Sequence, residues 1–333
     1  MEKDLLVSVI IVNWNGKQWL SDCLDSLISQ DYKNLEIILV DNDSSDGSVN
    51  FVKKKYGEKV EIIKNKENLG FGPANNIGVK KSKGKILFFL NNDTIIKNHE
   101  LLKSLVSYKD RENLNIVGPA VNGLDGVNKQ GDSYLGIDIF SQPGLSKHFF
   151  YVQGCALMIK KTDFIKLGGF DEKYFMYSED IDLCWRAHLF GMRLNLCKEL
   201  IILHFGGKSS EKSMHIKGEK HIVPLERRYE VEKNNLRNIL KNYKIENLLW
   251  VIPFFFLQNF LECLVYIFTG NFKMVAVIVK ALFWNLANSR DTFYERKIIQ
   301  SKRIIGDREI LLKMNHFSSN FRAFLEVGMP SFK

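Results

Sequence analysis

In the segment LLVSVIIVNWNG, residues 5–16, a nearly unbroken apolar run ends in a polar turn. Residues 5–12 are mostly apolar and β-branched, which is typical of a strand buried on both faces. The Asn15-Gly16 pair breaks this strand, and apolar residues at helical spacing follow between Leu20 and Ile28. The opening of the chain therefore predicts a buried strand followed by an amphipathic helix.

The same alternation repeats along the N-terminal part of the chain. A helix is predicted over residues 178–190, and further strands over 35–40, 60–64, 85–90, 116–121, 151–160 and 193–203. This rhythm indicates βαβ units and a parallel sheet, in which ligands bind beyond the carboxyl ends of the strands. Polar residues cluster at those predicted ends, at 13–15, 41–46 and 91–93, and the glycine-rich segment 123–144 predicts a long loop or ribbon.

Two of the polar segments have the chemistry of a nucleotide site. In DNDSSDGS, residues 41–48, a carboxylate at a strand end can accept hydrogen bonds from a nucleobase or ribose. The same residue types also favour a turn and a helix cap. In NLGFGPANNIG, residues 68–78, the glycines let the backbone approach a phosphate, although a tight packing turn explains them equally well.

Three further segments carry groups that catalysis or metal binding requires. Asp93 follows a predicted strand and could hold a divalent cation, although an isolated acid there is more often a cap. The acids Glu179, Asp180 and Asp182 could include a general base, or could merely favour a helix start by about 0.3–1 kcal/mol each. His204 follows the last predicted strand and is either structural or a metal ligand.

Together and in this order, these segments and the opening SVIIVNWNG resemble the family 2 inverting glycosyltransferases. The similarity runs from about Ser8 to Ser209 and is strongest to the bacterial and archaeal rhamnosyltransferase-like branch. It implies an α/β catalytic domain over residues 1–228, with the GT-A-type, Rossmann-like, mostly parallel sheet of that family. Residues 229–333 differ in composition, and we predict a helical, membrane-associating region there.

The resemblance also implies roles for individual residues. Asp180 matches the catalytic base of a single displacement, and Glu179 would orient the acceptor. Asp93 and His204 would hold Mg²⁺ or Mn²⁺, with NND at residues 91–93 where the family's motif is often drawn with two acids. The residues expected to line the nucleotide-sugar site are Asn13, Asn15, Asp41, Asp43, Asn68, Gly70, Asn75, Asn92 and Trp185.

The same resemblance implies the partners. The donor would be a nucleotide-diphosphate sugar, with dTDP-rhamnose as the leading candidate. The acceptor would be a hydroxyl of a glycan or of a polyprenyl-linked glycan in surface polysaccharide or glycolipid synthesis.

The C-terminal region, the N-terminus and the cysteines together indicate where in the cell the protein acts. Residues 248–268 nearly reach the length of a membrane span, but Gln258, Asn259 and Glu262 are costly in lipid. A helix lying in the membrane interface fits better, with a buried helical hairpin as the alternative. The N-terminus shows no secretory signal, and five scattered cysteines indicate free thiols in a reducing compartment. We therefore expect the protein at the cytoplasmic face of the plasma membrane.

Other classes of protein fit the sequence less well. A dinucleotide-dependent oxidoreductase would carry a glycine fingerprint after the first strand, where this chain has NWNG. A sugar nucleotidyltransferase would carry a glycine- and arginine-rich loop there, and this turn has only Lys17. A catalytically dead membrane adaptor would not need the acids and the histidine described above. The net charge of +9 comes from dispersed residues without a nucleic-acid-binding motif, so no nucleic-acid partner is expected.

Overall fold

A computed structural model describes residues 5–123, 134–205, 222–320 and 331–332 of the chain. These residues fall into two compact units. The first unit comprises Met1–Gly131, Tyr151–Ala187 and Met192–Gly207, and the second comprises Asp132–Phe150, His188–Gly191 and Lys208–Lys333. The predicted boundary at residue 228 stays a prediction, because residues 206–221 lie outside the described ranges.

The first unit contains an eight-stranded sheet. Its strands are β1 (Val7–Asn13), β2 (Leu35–Asp41), β3 (Glu61–Lys64), β4 (Ile86–Leu90), β5 (Thr94–Ile95), β6 (Ile116–Asn122), β9 (Ala156–Lys160) and β10 (Leu194–His204). Their order across the sheet is β3-β2-β1-β4-β9-β6-β10-β5. The first four strands in this order, β3, β2, β1 and β4, are parallel to one another, and β6 is parallel to β10. This confirms the predicted mostly parallel sheet.

Two strands run against the others. β9 is antiparallel to both of its neighbours, β4 and β6, and β5 is antiparallel to β10. The prediction of a strand over 151–160 was too long, because a turn closed by the Ala156 N–H and the Gln153 carbonyl (3.1 Å) occupies its first half. The sheet is therefore mostly parallel, and it departs from parallel pairing where β9 lies between β4 and β6 and where β5 pairs with β10.

The helices of the first unit cover the sheet with apolar residues. They are α1 (Lys17–Ile28), α2 (Ser48–Tyr56), α3 (Phe71–Lys81), α4 (Leu101–Arg111), α5 (Lys161–Leu167) and α6 (Glu179–Leu189), whose last two residues are assigned to the second unit. Helix α1 buries the residues that gave it its helical spacing, Leu20, Cys23, Leu24 and Leu27. All five cysteines are free thiols, as predicted, and four of them are buried.

The second unit is largely helical. Its helices are α7 (Leu225–Asn242), α8 (Ile245–Phe268), α9 (Phe272–Ala287), α10 (Ser289–Lys302) and α11 (Asp307–Leu311). The two apolar stretches predicted near the C-terminus lie in α8 and α9. The described part of the predicted ribbon, residues 134–144, contains a hairpin of β7 (Tyr134–Ile137) and β8 (Pro143–Ser146), and a short pair joins β11 (Ile222–Val223) to β12 (Ser331–Phe332).

Candidate functional site

The predicted site residues of the first two strands lie together at the carboxyl edge of the sheet. Asn13 and Asp41 are neighbours in register, both are buried, and the Asn13 amide nitrogen lies 3.0 Å from Asp41 Oδ1. The Asn92 amide donates to Asn13 Oδ1 at 2.8 Å, which ties the end of β4 to the same point. A carboxylate and two amides thus form a polar cluster where the ends of β1, β2 and β4 meet.

A turn made by residues 41–48 extends this cluster toward solvent. The backbone N–H of Asn15 donates to Ser44 Oγ at 2.9 Å, and Asn15 Oδ1 accepts from the Ser45 N–H at 2.8 Å. Asp43 is exposed and has a φ of 61°, which is a left-handed conformation. Apart from glycine, asparagine and aspartate are among the residues found most often in this conformation. The structure therefore brings Asn13, Asn15 and Asp41 into one network, with Asp43 at its rim.

The glycine-rich loop packs against the segment that leads to the predicted catalytic acids. Gly70 has a φ of 86°, and a Cβ atom added there would lie 2.1 Å from the Phe175 carbonyl oxygen. The next residue, Phe71, donates its N–H to that same oxygen at 2.7 Å. Asn68 Oδ1 accepts from the Gly70 N–H at 3.0 Å and so shapes the loop. Glycine is required at position 70 for two separate reasons.

The two asparagines of α3 have different environments. The Asn75 side chain is buried and donates to the Phe71 carbonyl at 2.9 Å, so its contact with a nucleotide stays a prediction. Asn76 donates to the Phe170 carbonyl at 2.9 Å and accepts from the Phe170 N–H at 3.0 Å. Asn76 was not among the predicted site residues, and its paired hydrogen bonds fix α3 to the turn after α5.

Asp93 and His204, predicted as metal ligands, are in contact. His204 Nε2 lies 3.0 Å from Asp93 Oδ1, because the end of β10 pairs with Thr94 of β5. The Asn91 amide nitrogen lies 3.3 Å from the same histidine nitrogen. Within the described ranges, no group of three or more His, Cys, Asp or Glu side chains gathers as a metal site.

The chemistry of this pair fits a divalent cation whose remaining ligands come from elsewhere. A carboxylate oxygen and an imidazole nitrogen both suit Mn²⁺, and Mg²⁺ in proteins commonly keeps one or two carboxylates and takes further oxygens from substrate phosphates and water. A cation held by these two protein ligands would take its remaining ligands from water or from the oxygens of a bound phosphate group.

Asp180 lies at the start of α6, and two residues with strained backbone conformations come just before this helix in the sequence. Tyr177 and Ser178 have φ values of 70° and 63°, a conformation that costs of order 1 kcal/mol or more each and is found most often at functional sites. Asp180 Oδ2 accepts from the Gly154 N–H and Oδ1 from the Ile181 N–H, both at 2.8 Å. Burial raises the pKa of Asp180, and the two backbone donors oppose that rise.

Asp93 and Asp180 both lie near one buried thiol, that of Cys155. After burial itself, the charges of Asp93 and then Asp180 are the largest causes that raise the pKa of Cys155. The Cys155 carbonyl also accepts from the Asn91 N–H at 3.0 Å. The structure thus brings the predicted metal ligand and the predicted base into the same neighbourhood, with Glu179 buried next to Asp180 in the chain.

Trp185 and Arg186 of α6 are buried behind this neighbourhood. The Trp185 side chain is fully buried, so its contact with a nucleotide sugar stays a prediction. Arg186, which the sequence analysis did not single out, forms an ion pair with Asp182 at 2.7 Å. It also donates to the carbonyls of Leu167 and Gly169, which anchors α6 to the turn after α5.

Trp14 is a third residue of this region, after Asn76 and Arg186, that was not among the predicted site residues. Its side chain is 55% exposed although it lies between Asn13 and Asn15 at the carboxyl end of β1. A large apolar ring exposed beside a polar cluster is unusual, because tryptophan is normally among the more buried residues. The signal was present in the sequence as the only aromatic residue of the NWNG turn.

Comparison with known proteins places the chain among glycosyltransferases. Residues 8–180 match the protein family described as glycosyl transferase family 2. An uncharacterised glycosyltransferase of Rickettsia prowazekii is 30% identical over 189 residues, which covers 54% of this chain and 58% of that protein. The chain therefore spans less than two thirds of that relative's length. The rhamnosyltransferase WbbL of Escherichia coli is 28% identical over 230 residues, which covers 60% of this chain and 83% of that protein.

Solved structures show the same fold. A mannosyltransferase from Pyrobaculum calidifontis, in complex with GDP-Man and Mn²⁺, superposes with a TM-score of 0.53 at 16% identity. The superposition covers 86% of this chain and 76% of that chain. The likeness confirms the fold class predicted from the sequence.

Proposed function

The chain belongs to glycosyl transferase family 2, and on that premise we propose that it transfers a sugar from a nucleoside-diphosphate donor to an acceptor hydroxyl by one inverting displacement, with Asp180 as the base. The observation that carries this proposal is the position of Asp180. Its carboxylate is held by two backbone N–H groups, and both it and Asp93 influence the pKa of Cys155.

Asp180 would move one proton in this reaction. Its carboxylate takes the proton of the acceptor hydroxyl while the acceptor oxygen forms a bond to the anomeric carbon. The bond from that carbon to the diphosphate oxygen breaks, and the nucleoside diphosphate leaves with the electron pair. A base works best when its pKa lies near the working pH, and burial shifts the pKa of Asp180 in that direction. Glu179, the neighbouring acid, would orient the acceptor.

Asp93 and His204 would hold Mg²⁺ or Mn²⁺. When bound there, the cation would supply positive charge to the leaving diphosphate. Asn92 would be presented to the donor beside this pair, because its amide is fixed by Asn13 at the adjacent strand end.

The polar cluster at the ends of β1 and β2 would bind the nucleoside. Asp41 offers carboxylate oxygens to base or ribose donors, and Asn15 and Asp43 line the outer part of the same turn. The exposed ring of Trp14 offers a flat apolar face on which a base could stack. The loop through Asn68 and Gly70 would close along the diphosphate, with Asn75 and Trp185 supporting it from within.

The donor and acceptor proposals rest on similarity. The relative WbbL is named a rhamnosyltransferase, and this supports dTDP-rhamnose as the first donor to test. A hydroxyl of a glycan or lipid-linked glycan, in surface polysaccharide or glycolipid synthesis, is the proposed acceptor. Helix α8 is long and apolar enough to cross a membrane, and its presence supports action at a membrane, for which we propose the cytoplasmic face.

A donor screen tests this function. The purified full chain would be incubated with a panel of nucleotide sugars and Mg²⁺ or Mn²⁺, and the released nucleoside diphosphate and the anomeric configuration of the product would be measured. Metal-dependent release from one donor, with inversion, is the expected result. Retention of configuration would contradict the single displacement, and no release with any donor, even with lipid-linked acceptors present, would favour a catalytically inactive adaptor.

A further inference from the structure

The solvent-exposed side of α8 is apolar, and the polar residues Asn259 and Glu262 lie on the opposite side of the helix. Leu249 is 73% exposed, Phe260 59% and Phe268 86%, and Phe256 and Leu257 between them are also exposed. These positions recur at helical spacing, so they line one side of the helix. We call this surface, defined by the exposed residues from Leu249 to Phe268, the apolar face.

The polar residues of α8 point toward α7. Glu262, the only charged residue after Glu246 in this helix, accepts from Arg228 of α7 at 2.9 Å and from the Tyr266 hydroxyl at 2.7 Å. Arg228 also pairs with Glu232 at 3.1 Å, and Asn259 is buried. Gln258, Asn259 and Glu262 make α8 a poor membrane span by composition. Two of them, Asn259 and Glu262, lie on the side of the helix away from the apolar face.

This arrangement decides how α8 can meet a membrane. With 24 residues it is about 36 Å long, enough to cross a hydrocarbon core of about 30 Å. Crossing would draw α7 into the hydrocarbon through the Arg228–Glu262 pair, and α7 carries eight charged residues. Burying a charged side chain at the centre of the bilayer costs about 2.5–3.5 kcal/mol on insertion scales, and α7 would bring several. A helix lying in the plane of the interface instead exposes only its apolar face to lipid.

A basic cavity lies at the N-terminal end of the same helix. It has a volume of about 420 Å³ and is lined by seven residues, Lys244, Ile245, Glu246, Phe293, Arg296, Lys297 and Gln300. Three of these are cationic and one is acidic. Arg296 is held in place by the carbonyls of Leu240 and Tyr243, at 2.8 and 2.5 Å. The cavity thus joins positive charge to two apolar side chains at the end of the apolar face.

We propose that the second unit docks on an anionic lipid bilayer with α8 in the plane of the membrane, the apolar face in the acyl chains and a lipid phosphate in the basic cavity. Cations at the rim of an apolar surface match the charge of anionic headgroups above acyl chains. Helix α9 has an exposed apolar side of its own, since Phe272, Val279, Phe283 and Leu286 are exposed at helical spacing. This contact deepens the proposed function, because a lipid-linked acceptor would be presented at that surface.

Vesicle flotation of the full chain tests the proposal. Phosphatidylcholine vesicles would be compared with vesicles that also contain phosphatidylglycerol. Wild-type protein is expected to float with both and to prefer the anionic ones. The double variant Leu249→Asp, Phe260→Asp should lose binding to both kinds of vesicle, and Ile165→Asp, at an exposed apolar residue of the first unit, should float like wild type.

A second pair of variants tests the basic cavity. Lys244→Gln with Lys297→Gln should lower binding to the anionic vesicles by about fivefold per lysine and leave binding to neutral vesicles unchanged. Lys53→Gln with Lys54→Gln, two exposed lysines of α2, should lower anionic binding far less. Equal losses from the two pairs would overturn the phosphate site.

Three other outcomes would overturn the in-plane contact. The first is that the Leu249→Asp, Phe260→Asp variant floats like wild type. The second is that the wild type resists alkaline carbonate extraction, as a membrane-spanning protein does. The third is that the wild type fails to float and instead forms a lipid-free dimer that the same two substitutions dissociate. Failure of the proposed function would look different. Donor hydrolysis would then be missing although flotation follows the expected pattern, and Asp180→Asn should float like wild type in either case.

Discussion

His204 Nε2 lies 3.0 Å from Asp93 Oδ1, where the antiparallel strands β10 and β5 meet. The strand pairing, rather than closeness in sequence, brings this imidazole and carboxylate together. If they hold the divalent cation, His204→Ala should raise the Mn²⁺ concentration for half-maximal activity at least about tenfold, since even outer-shell changes cost about 10–100-fold in metal affinity. A Mn²⁺ titration of donor hydrolysis measures this, with His99→Ala, an exposed histidine, as the control. An unchanged titration would remove His204 from the metal site.

The pH dependence of the reaction should report Asp180. Asp180 can take the proton of the acceptor hydroxyl only when its own carboxyl group is ionised. The value of kcat/KM should therefore rise as the pH increases through the Asp180 pKa. Burial raises that pKa above the ordinary value of 3.8, and the acid limb should therefore lie at a higher pH than a solvated aspartate would give. The limb should stay at the same pH when Mn²⁺ is raised from limiting to saturating concentration, because Asp180 is not a proposed metal ligand. A limb that shifts as Mn²⁺ is raised to saturation would count against Asp180.

Gly70 and Gly168 offer a matched pair of substitutions. Both have positive φ, but an added Cβ atom lies 2.1 Å from the Phe175 carbonyl at position 70 and meets nothing within 4 Å at position 168. Gly168→Ala should cost about 1 kcal/mol of unfolding free energy, from conformation alone. Gly70→Ala should cost clearly more and should also raise the KM for the donor, because the loop must shift. Urea denaturation and donor kinetics measure the two effects, and equal losses of stability would show that the contact with Phe175 is readily relaxed.

Arg186 should contribute to stability through its buried ion pair. Arg186→Ala leaves the Asp182 carboxylate buried without its cation and should cost about 3–5 kcal/mol. Replacing both partners, as in Arg186→Met with Asp182→Leu, should cost less than the single change, because no uncompensated charge then stays buried. The two variants can be compared by urea denaturation. A double variant as unstable as Arg186→Ala would mean that the bonds to Leu167 and Gly169, rather than the pair, provide the stability.

The sequence predicted the positions of the polar strand ends well, for a simple physical reason. Buried strands such as β1 and β4 consist almost entirely of apolar residues. The polar residue that ends each run, Asn13 as the last residue of β1 and Asn91 directly after β4, marks the carboxyl end of the strand. The direction of β9 could not be read in this way, because a buried antiparallel strand has the same apolar pattern as a parallel one.

The supporting residues of the site were harder to predict. Asn76 and Arg186 act through hydrogen bonds to the backbone carbonyls of distant residues, and a sequence does not reveal which carbonyls will be near. The left-handed conformations of Tyr177 and Ser178 are imposed by the surrounding structure against the preference of those residues.

The most direct test of the account is the transfer rate of Asp180→Asn under saturating donor, acceptor and Mn²⁺. The substitution preserves shape but removes the base, so the rate should fall about 10²–10⁴-fold. The far-UV spectrum should stay that of wild type, but the melting temperature should fall modestly, because the amide nitrogen cannot accept from one of the two backbone N–H groups that Asp180 binds. Asp31→Asn, at an exposed carboxyl, should be fully active. A folded Asp180→Asn variant that transfers sugar at the wild-type rate would contradict the assignment of Asp180 and the mechanism built on it.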